Sequence, residues 1–307
     1  GGGHAFGMTR TLYLHIGTGK AGSTTLQRYI NAMKDPDLGV LPLRSFGTPN
    51  ALRLVAACAG PRARPFFVDS RKIMTSEEFI NNAYSLWVRA TQEVETAPIK
   101  TFVSSSEFLI HKVRGRDIRV MRDHMMGVFD QVKIIVYLRE QTSFLRSLWA
   151  QSVKGPTKSH LTFAEFIDTI EGRRAHWDYQ GLLSAWMDVF GRDAIEACVF
   201  DPQAFIGGDL LTDFNARIGA RFEGSAQARK DKENVSPASD ELDRIRYANH
   251  VDLARRLGVD PPPLTAQNTT DPHAYDARIL EVVSSSNAWV NQTFFNEAAV
   301  KLPVQAT

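Results

Sequence analysis

The stretch Leu12-Tyr13-Leu14-His15-Ile16-Gly17-Thr18-Gly19-Lys20-Ala21-Gly22-Ser23-Thr24-Thr25-Leu26 sets glycines, a lysine and hydroxyls between an apolar run and a helical pattern. Residues of these types in this order suit an anion. Glycines permit the tight turn, main-chain N–H groups at a helix start face the ligand, and the helix dipole favours negative charge. Lys20 adds a cation, and Ala21, Gly22, Ser23, Thr24 and Thr25 complete the candidate phosphate cradle. A plain strand-to-helix turn capped by Ser23 would explain the glycines alone; the lysine and the hydroxyls together tip the reading to phosphate. A nucleoside-triphosphate loop ends in Gly-Lys-Ser/Thr, with the hydroxyl on magnesium. Here Gly22 runs straight into Ser23, Lys20 precedes the glycine, and no apolar strand ends in an aspartate that would partner magnesium. The loop fits a nucleotide with a short 5′ group and no metal.

Two further places carry chemistry. The run Ile99–Val103 leads through Ser104-Ser105-Ser106 to Glu107, a carboxylate at the carboxyl end of a strand, where open α/β sheets bind ligands. Glu107 is the candidate general base, with His111 as competitor; a helix over 107–111 would put both on one face. The simpler role for Glu107 is to balance a helix dipole. The run Val132–Leu138 ends at Arg139, and Ser147 follows in the next helical pattern. A guanidinium there offers a fork of donors to a phosphate, or an ion pair to Glu140. Lys112, Arg114, Arg116, Arg119 and Arg122 form a local basic cluster that reads as a solvated helix face or as the rim for an acidic acceptor. The histidines show no His-Glu-x-x-His pattern and the two cysteines, Cys58 and Cys198, are far apart, so no metal site is expected.

The elements that must position these groups follow from hydrophobic periodicity. Four β-rich runs, Leu12–Ile16, Ile99–Val103, Val132–Leu138 and Ile195–Phe200, alternate with helical patterns, which predicts βα units and a mostly parallel sheet. Leu26, Ile30 and Met33 share a helix face after the first strand. Thr75 with Glu78 and Thr162 with Glu165 have the spacing of capping boxes. Phe144, Leu145, Leu148 and Trp149 mark one further helix, Leu182 to Phe190 another that stops at Gly191, and Ser236-Pro237 opens a helix running to Gly258. The fold class expected is α/β: a central parallel sheet flanked by helices, of the P-loop-containing nucleotide-binding type, with a helical C-terminal portion. Residues 1–7 read as a cloning remnant before Met8, and 8–307 as a single domain.

Composition bounds the partners. The chain has 307 residues, 43% of them hydrophobic, and 36 Lys+Arg against 34 Asp+Glu, giving a net charge of +2. That balance implies no nucleic-acid-binding body. No apolar run approaches a bilayer span, and two scattered cysteines fit a reducing compartment, so a cytoplasmic location is expected.

The segment His15–Gln27 resembles the 5′-phosphosulfate loop of sulfotransferases that use PAPS (3′-phosphoadenosine 5′-phosphosulfate), most of all bacterial members. Val132–Arg139 with Ser147 is similar to the 3′-phosphate site of that family, in which a strand-end arginine and a helix serine grip the extra phosphate. Asp178-Tyr179, Trp186, Phe190-Gly191, 209–219, Ser286-Asn287 and Phe294-Phe295 extend the likeness weakly along the chain. The late Gly-rich lysine motif of animal cytosolic members is missing, and Arg229-Lys230-Asp231-Lys232-Glu233 stands in its place. The resemblance implies PAPS as sulfuryl donor, without a metal, and a hydroxyl acceptor on a glycan or small molecule. It places Lys20 by the bridging oxygen of PAPS, and it puts a catalytic glutamate or histidine near Glu107. A P-loop kinase and a non-catalytic nucleotide-binding module are the competing readings. Trp87, Trp149, Trp177 and Tyr179 could stack on a sugar, although their helical spacing suits a core equally well.

Overall fold

The computed structural model describes residues 9–60, 76–171, 177–221, 239–261, 263 and 271–305. The chain forms two compact units, Gly1–Leu138 with Leu182–Asp231, and Arg139–Gly181 with Lys232–Thr307. The first holds a parallel five-stranded sheet in the order β2-β3-β1-β4-β5. Its strands are β1 (Thr11–His15), β2 (Leu41–Pro42), β3 (Thr101–Ser105), β4 (Gln131–Leu138) and β5 (Ile195–Val199). The central strand β1 pairs with both neighbours, His15 standing opposite Ser105 on one side and Ile135 on the other. All carboxyl ends therefore share one edge, the edge at which an open α/β sheet presents its site.

Side chains of β1 alternate between the two faces. Leu12, Leu14 and Ile16 are fully buried on one side. The other face packs on α1 (Ser23–Ala32) and joins Leu26, Tyr29 and Ile30 to Val103, Ile135 and Tyr137. Burying each such side chain contributes roughly 1.5–3 kcal/mol. In the same unit lie α2 (Leu52–Ala59), α3 (Ser76–Thr96), the single turn α4 (Leu109–Lys112) and α5 (Gly115–Val128). Thr75 and the side chain of Glu78 lie outside the described residues.

The second unit is helical. It contains α6 (Gln141–Lys154), α7 (Phe163–Glu171), the helix Ser239–Leu257 and the helix Asp276–Phe294. Phe144, Leu145, Trp149, Phe163, Trp177, Leu242 and Val283 meet in its core. The Thr162–Glu165 box caps α7: the Thr162 amide donates to Glu165 Oε2 at 2.8 Å, and the Glu165 amide donates to Thr162 Oγ1 at 3.3 Å. A reciprocal amide pair, Gln141 with Asn287 at 2.7 and 3.0 Å, joins the first residue of α6 to the last helix. The expected opening at Ser236-Pro237 lies outside the described residues, and helix Ser239–Leu257 does end at Gly258, whose φ is 67°. Two further helices follow the expected pattern: α8 (Tyr179–Phe190) stops at Gly191, and α9 (Leu210–Ile218) runs from the cap Asp209 to Gly219.

Candidate active site

The candidate phosphate loop runs from Ile16 to Gly22, between β1 and α1. It is gripped from β4. The Tyr137 amide donates to the Gly17 carbonyl at 3.0 Å, and Thr18 returns two bonds to the Tyr137 carbonyl, from its amide at 2.9 Å and from its hydroxyl at 3.0 Å. Tyr137 is itself anchored, its hydroxyl donating to the fully buried Asp213 at 2.6 Å while Arg217 donates to the same carboxylate at 2.7 Å. Ser23 closes the loop by donating its hydroxyl to the Thr18 carbonyl at 2.9 Å. Gly22 has φ 73°, and a Cβ there would collide with Leu210 and stand 3.0 Å from Phe200. Only glycine suits that place. The first amide bonded within α1 is that of Leu26, to the Gly22 carbonyl at 3.0 Å, and no side chain caps the helix. The amides of Ser23, Thr24 and Thr25 are thus left to an anion. Thr24 is exposed and Thr25 half-buried, whereas Ser23 is buried and spends its proton inside the loop.

Glu107 lies in the turn that leaves β3, and that turn is stitched to the same loop. The Ser106 amide donates to the His15 carbonyl at 2.9 Å and the Ile110 amide to the Ile16 carbonyl at 3.1 Å. Gly17 and Gly19 keep the approach close. A Cβ on Gly17 would stand 3.1 Å from the Glu107 carbonyl oxygen, and one on Gly19 would stand 3.9 Å from Glu107 Oε2. Burial raises the Glu107 carboxyl above its ordinary value, and the charge of Lys20 partly offsets the rise. The structure thus brings Lys20 and Glu107 into one electrostatic neighbourhood, with Lys20 held in the left-handed region at φ 62°. His111 sits on α4. That helix begins at Leu109, so residues 107–111 do not form one helical face and the premise for pairing Glu107 with His111 fails.

Arg139 follows β4, and its guanidinium donates from Nε to Ser143 Oγ at 3.0 Å. Ser147 lies one helical turn beyond Ser143 on α6, half-buried. Glu140 caps that helix, accepting from the Thr142 amide at 3.1 Å and the Ser143 amide at 3.2 Å. The Thr142 and Ser143 amides at the start of α6 are therefore already matched with a carboxylate. The Tyr179 hydroxyl donates to the Arg139 carbonyl at 2.5 Å, fixing the residue from behind.

Several other expectations resolve toward packing. Trp149, Trp177 and Tyr179 are buried, the two tryptophans in the core of the helical unit, and Trp87 stacks on His124. Arg114, Arg116 and Arg119 are exposed on or beside α5, as a solvated face requires. Lys230 and Lys232 lie outside the described residues. Among the described residues there is no cluster of three metal-ligating side chains and no helix long and apolar enough to cross a membrane. The sequence reading missed His15, Ser105, Tyr137 and Ser143. For the first three the signal was polarity inside strands that otherwise read as apolar; Ser143 lies in the first turn of α6 and left no such signal.

The fold is thus a parallel α/β sheet with a glycine-rich loop after its central strand. No family model matches the chain. Among curated proteins it is 27% identical over 113 residues to an uncharacterized protein of Archaeoglobus fulgidus, a match spanning 37% of this chain and 28% of that protein. Among solved structures it is similar to a sulfotransferase from Alicyclobacillus acidocaldarius, at 16% identity over 81% of this chain and 96% of the other, with a TM-score of 0.46. It is also similar to the sulfotransferase domain from the curacin biosynthetic pathway, at 11% identity over 83% of this chain and 99% of the other, with a TM-score of 0.37. Neither likeness carries the functional reading, which rests on the side chains of the loop and of the turn facing it.

Proposed function

We propose that the chain is a PAPS-dependent sulfotransferase that moves a sulfuryl group to a hydroxyl acceptor on a glycan or small molecule. The observation that carries this reading is the carboxylate of Glu107 held against an anion-binding loop whose cation is Lys20. When bound, PAPS supplies the sulfuryl group and leaves as 3′,5′-adenosine bisphosphate. Amides of Ser23, Thr24 and Thr25 hold the 5′-phosphate, and Lys20 balances the charge that grows on it as the bond to sulfur breaks. Glu107 accepts the proton of the acceptor hydroxyl as the new oxygen–sulfur bond forms. A carboxyl raised by burial is a better base than an ordinary glutamate, so long as it is ionised at the working pH. Arg139, oriented by Ser143, and Ser147 hold the 3′-phosphate through side chains. The two cysteines, Cys58 and Cys198, are free, in keeping with the reducing cytoplasm proposed here.

The kinase alternative is disfavoured by a specific contact. The residue after Gly22 would have to offer its hydroxyl to magnesium, and Ser23 is 2% exposed and donates to Thr18 instead. The test is label transfer from sulfur-35 PAPS to a panel of alcohols and glycans. Glu107→Gln should lower turnover roughly a hundredfold or more with nucleotide affinity hardly changed, and His111→Ala should be milder. Collapse in His111→Ala with near-normal Glu107→Gln would move the base to His111. Phosphate transfer from ATP and magnesium would replace the reading with a kinase.

A further inference from the structure

His15 is the buried polar group that this mechanism leaves unused. It is the last residue of β1, fully buried, with Nδ1 2.8 Å from Ser105 Oγ and Nε2 without a hydrogen-bond partner. The rings of Tyr137 and Phe214 enclose it, with centroids at 5.9 and 6.3 Å. Burial lowers its pKa to about 4, a fall partly offset by its interaction with the Gly17 backbone, so the imidazole is neutral at pH 7. For stability alone an apolar side chain fills such a place better than a ring with one nitrogen unsatisfied. What the imidazole adds is a directed bond to β3 through Ser105, beside its interaction with the Gly17 backbone at the start of the loop.

That bond falls where the two halves of the site meet. Ser105 stands opposite His15 in the sheet, and the Ser106 amide donates to the His15 carbonyl at 2.9 Å. Ser106 Oγ accepts from the Phe108 amide at 3.4 Å, so a chain of short links runs from the ring to the turn holding Glu107. On the other side of His15 the backbone passes directly into the phosphate loop. We propose that His15 is a positioning residue: through Ser105 it fixes the turn that presents Glu107 to the loop carrying Lys20. The proposal rests on Glu107 being the base. Displacing a base by about 1 Å is enough to cost on the order of a hundredfold in rate.

Three variants test it. His15→Asn keeps a polar atom near the Nδ1 position and so keeps a partner for Ser105, His15→Gln moves that atom toward the Nε2 position, and Ser105→Ala removes the partner with a minimal change of volume. Two readouts are taken. One is the titration of Glu107, followed by carbon-13 NMR of carboxyl-labelled glutamate and assigned with Glu107→Gln. The other is sulfuryl transfer, measured beside calorimetric affinity for 3′,5′-adenosine bisphosphate. Ser105→Ala and His15→Gln should move the Glu107 titration toward the ordinary glutamate range. They should also cut kcat by roughly ten- to a hundredfold, with bisphosphate affinity within about twofold. His15→Asn should match the wild type in both. The Glu107 titration, read in variants whose melting shows them folded, is what separates positioning from packing alone. Wild-type titration and kcat in a folded Ser105→Ala, or Gln behaving as wild type while Asn does not, would overturn the proposal. If the wild-type protein transfers no sulfuryl group but the titration moves as stated, the positioning stands and the functional reading falls. If transfer is intact and the titration is unmoved in folded variants, the functional reading stands and the positioning falls.

Discussion

Replacing Gly22 by alanine puts a methyl group where Leu210 already stands and 3.0 Å from Phe200, on a residue whose φ is 73°. The left-handed conformation costs an alanine about 1–2 kcal/mol. Crowding against two packed side chains adds about 1–3 kcal/mol, and the stiffer unfolded chain returns about 0.4–1 kcal/mol. The net loss is roughly 1–5 kcal/mol, a large share of a total stability of about 5–15 kcal/mol. The melting midpoint should fall by roughly 3–10 °C. Gly19 is the control within the same loop. Its φ is not positive, and its added Cβ meets nothing nearer than Glu107 Oε2 at 3.9 Å, an ordinary contact. Gly19→Ala should therefore melt within about 2 °C of the wild type. Yet its methyl group faces the proposed base, and sulfuryl transfer should fall about tenfold or more. Thermal melts and transfer assays on both variants read the two effects separately. Wild-type melting of Gly22→Ala, or equal destabilisation by both changes, would refute the reasoning.

Lys20→Ala should lower turnover by on the order of a hundredfold or more while calorimetric affinity for 3′,5′-adenosine bisphosphate drops far less, because its charge counts most as the leaving group develops its own. Unchanged transfer would remove Lys20 from the mechanism. Arg139→Ala should weaken the bisphosphate by roughly ten- to a hundredfold, the scale of a charge-assisted bond, and leave the weak binding of AMP unchanged; equal losses for both ligands would show that Arg139 does not read the 3′-phosphate. Acid should destabilise the fold through His15, whose pKa falls from 6.5 when unfolded to about 4 when folded. The neutral ring is favoured in the native state, so this stability is complete above about pH 6.5 and drains by about 3 kcal/mol as pH falls toward 4. Urea melts across that range should show the slope, and His15→Asn should flatten it. Glu107, with a raised pKa, acts in the opposite sense, its contribution being present at low pH and lost as pH rises through its folded value.

The βα alternation was legible because parallel strands buried on both faces read as apolar runs, and β1, β4 and β5 match their runs within about a residue. The strand before Glu107 was misplaced by two residues, 99–103 expected against 101–105 observed. The reason is physical: Ser104 and Ser105 are buried strand residues, and Ser105 is satisfied by the ring of His15, a bond that no hydropathy pattern reveals. The shift brings Glu107 closer to the sheet edge than the apolar run implied. The two-residue β2 is too short to leave a period. The glycine-rich turn between β1 and α1 was legible from its glycines, but the partner of its Ser23 hydroxyl was not, since a contact with Thr18 depends on how the loop closes. Ser143 escaped notice for a similar reason. The family resemblance pointed to Ser147, and only the path of the Arg139 side chain shows that Ser143 engages it.

The loop after β1 is proposed to take a nucleotide with a single 5′-phosphate beside Lys20, and Arg139 to read a 3′-phosphate. Calorimetric titration of the purified protein with 3′,5′-adenosine bisphosphate, with AMP, and with ATP and magnesium tests this without knowledge of the acceptor. Saturable one-to-one binding of the bisphosphate is expected, at least about tenfold tighter than AMP, consistent with one added charge-assisted contact, and no advantage for ATP with magnesium. Tighter binding of ATP with magnesium than of the bisphosphate, or equal binding of bisphosphate and AMP, would contradict it.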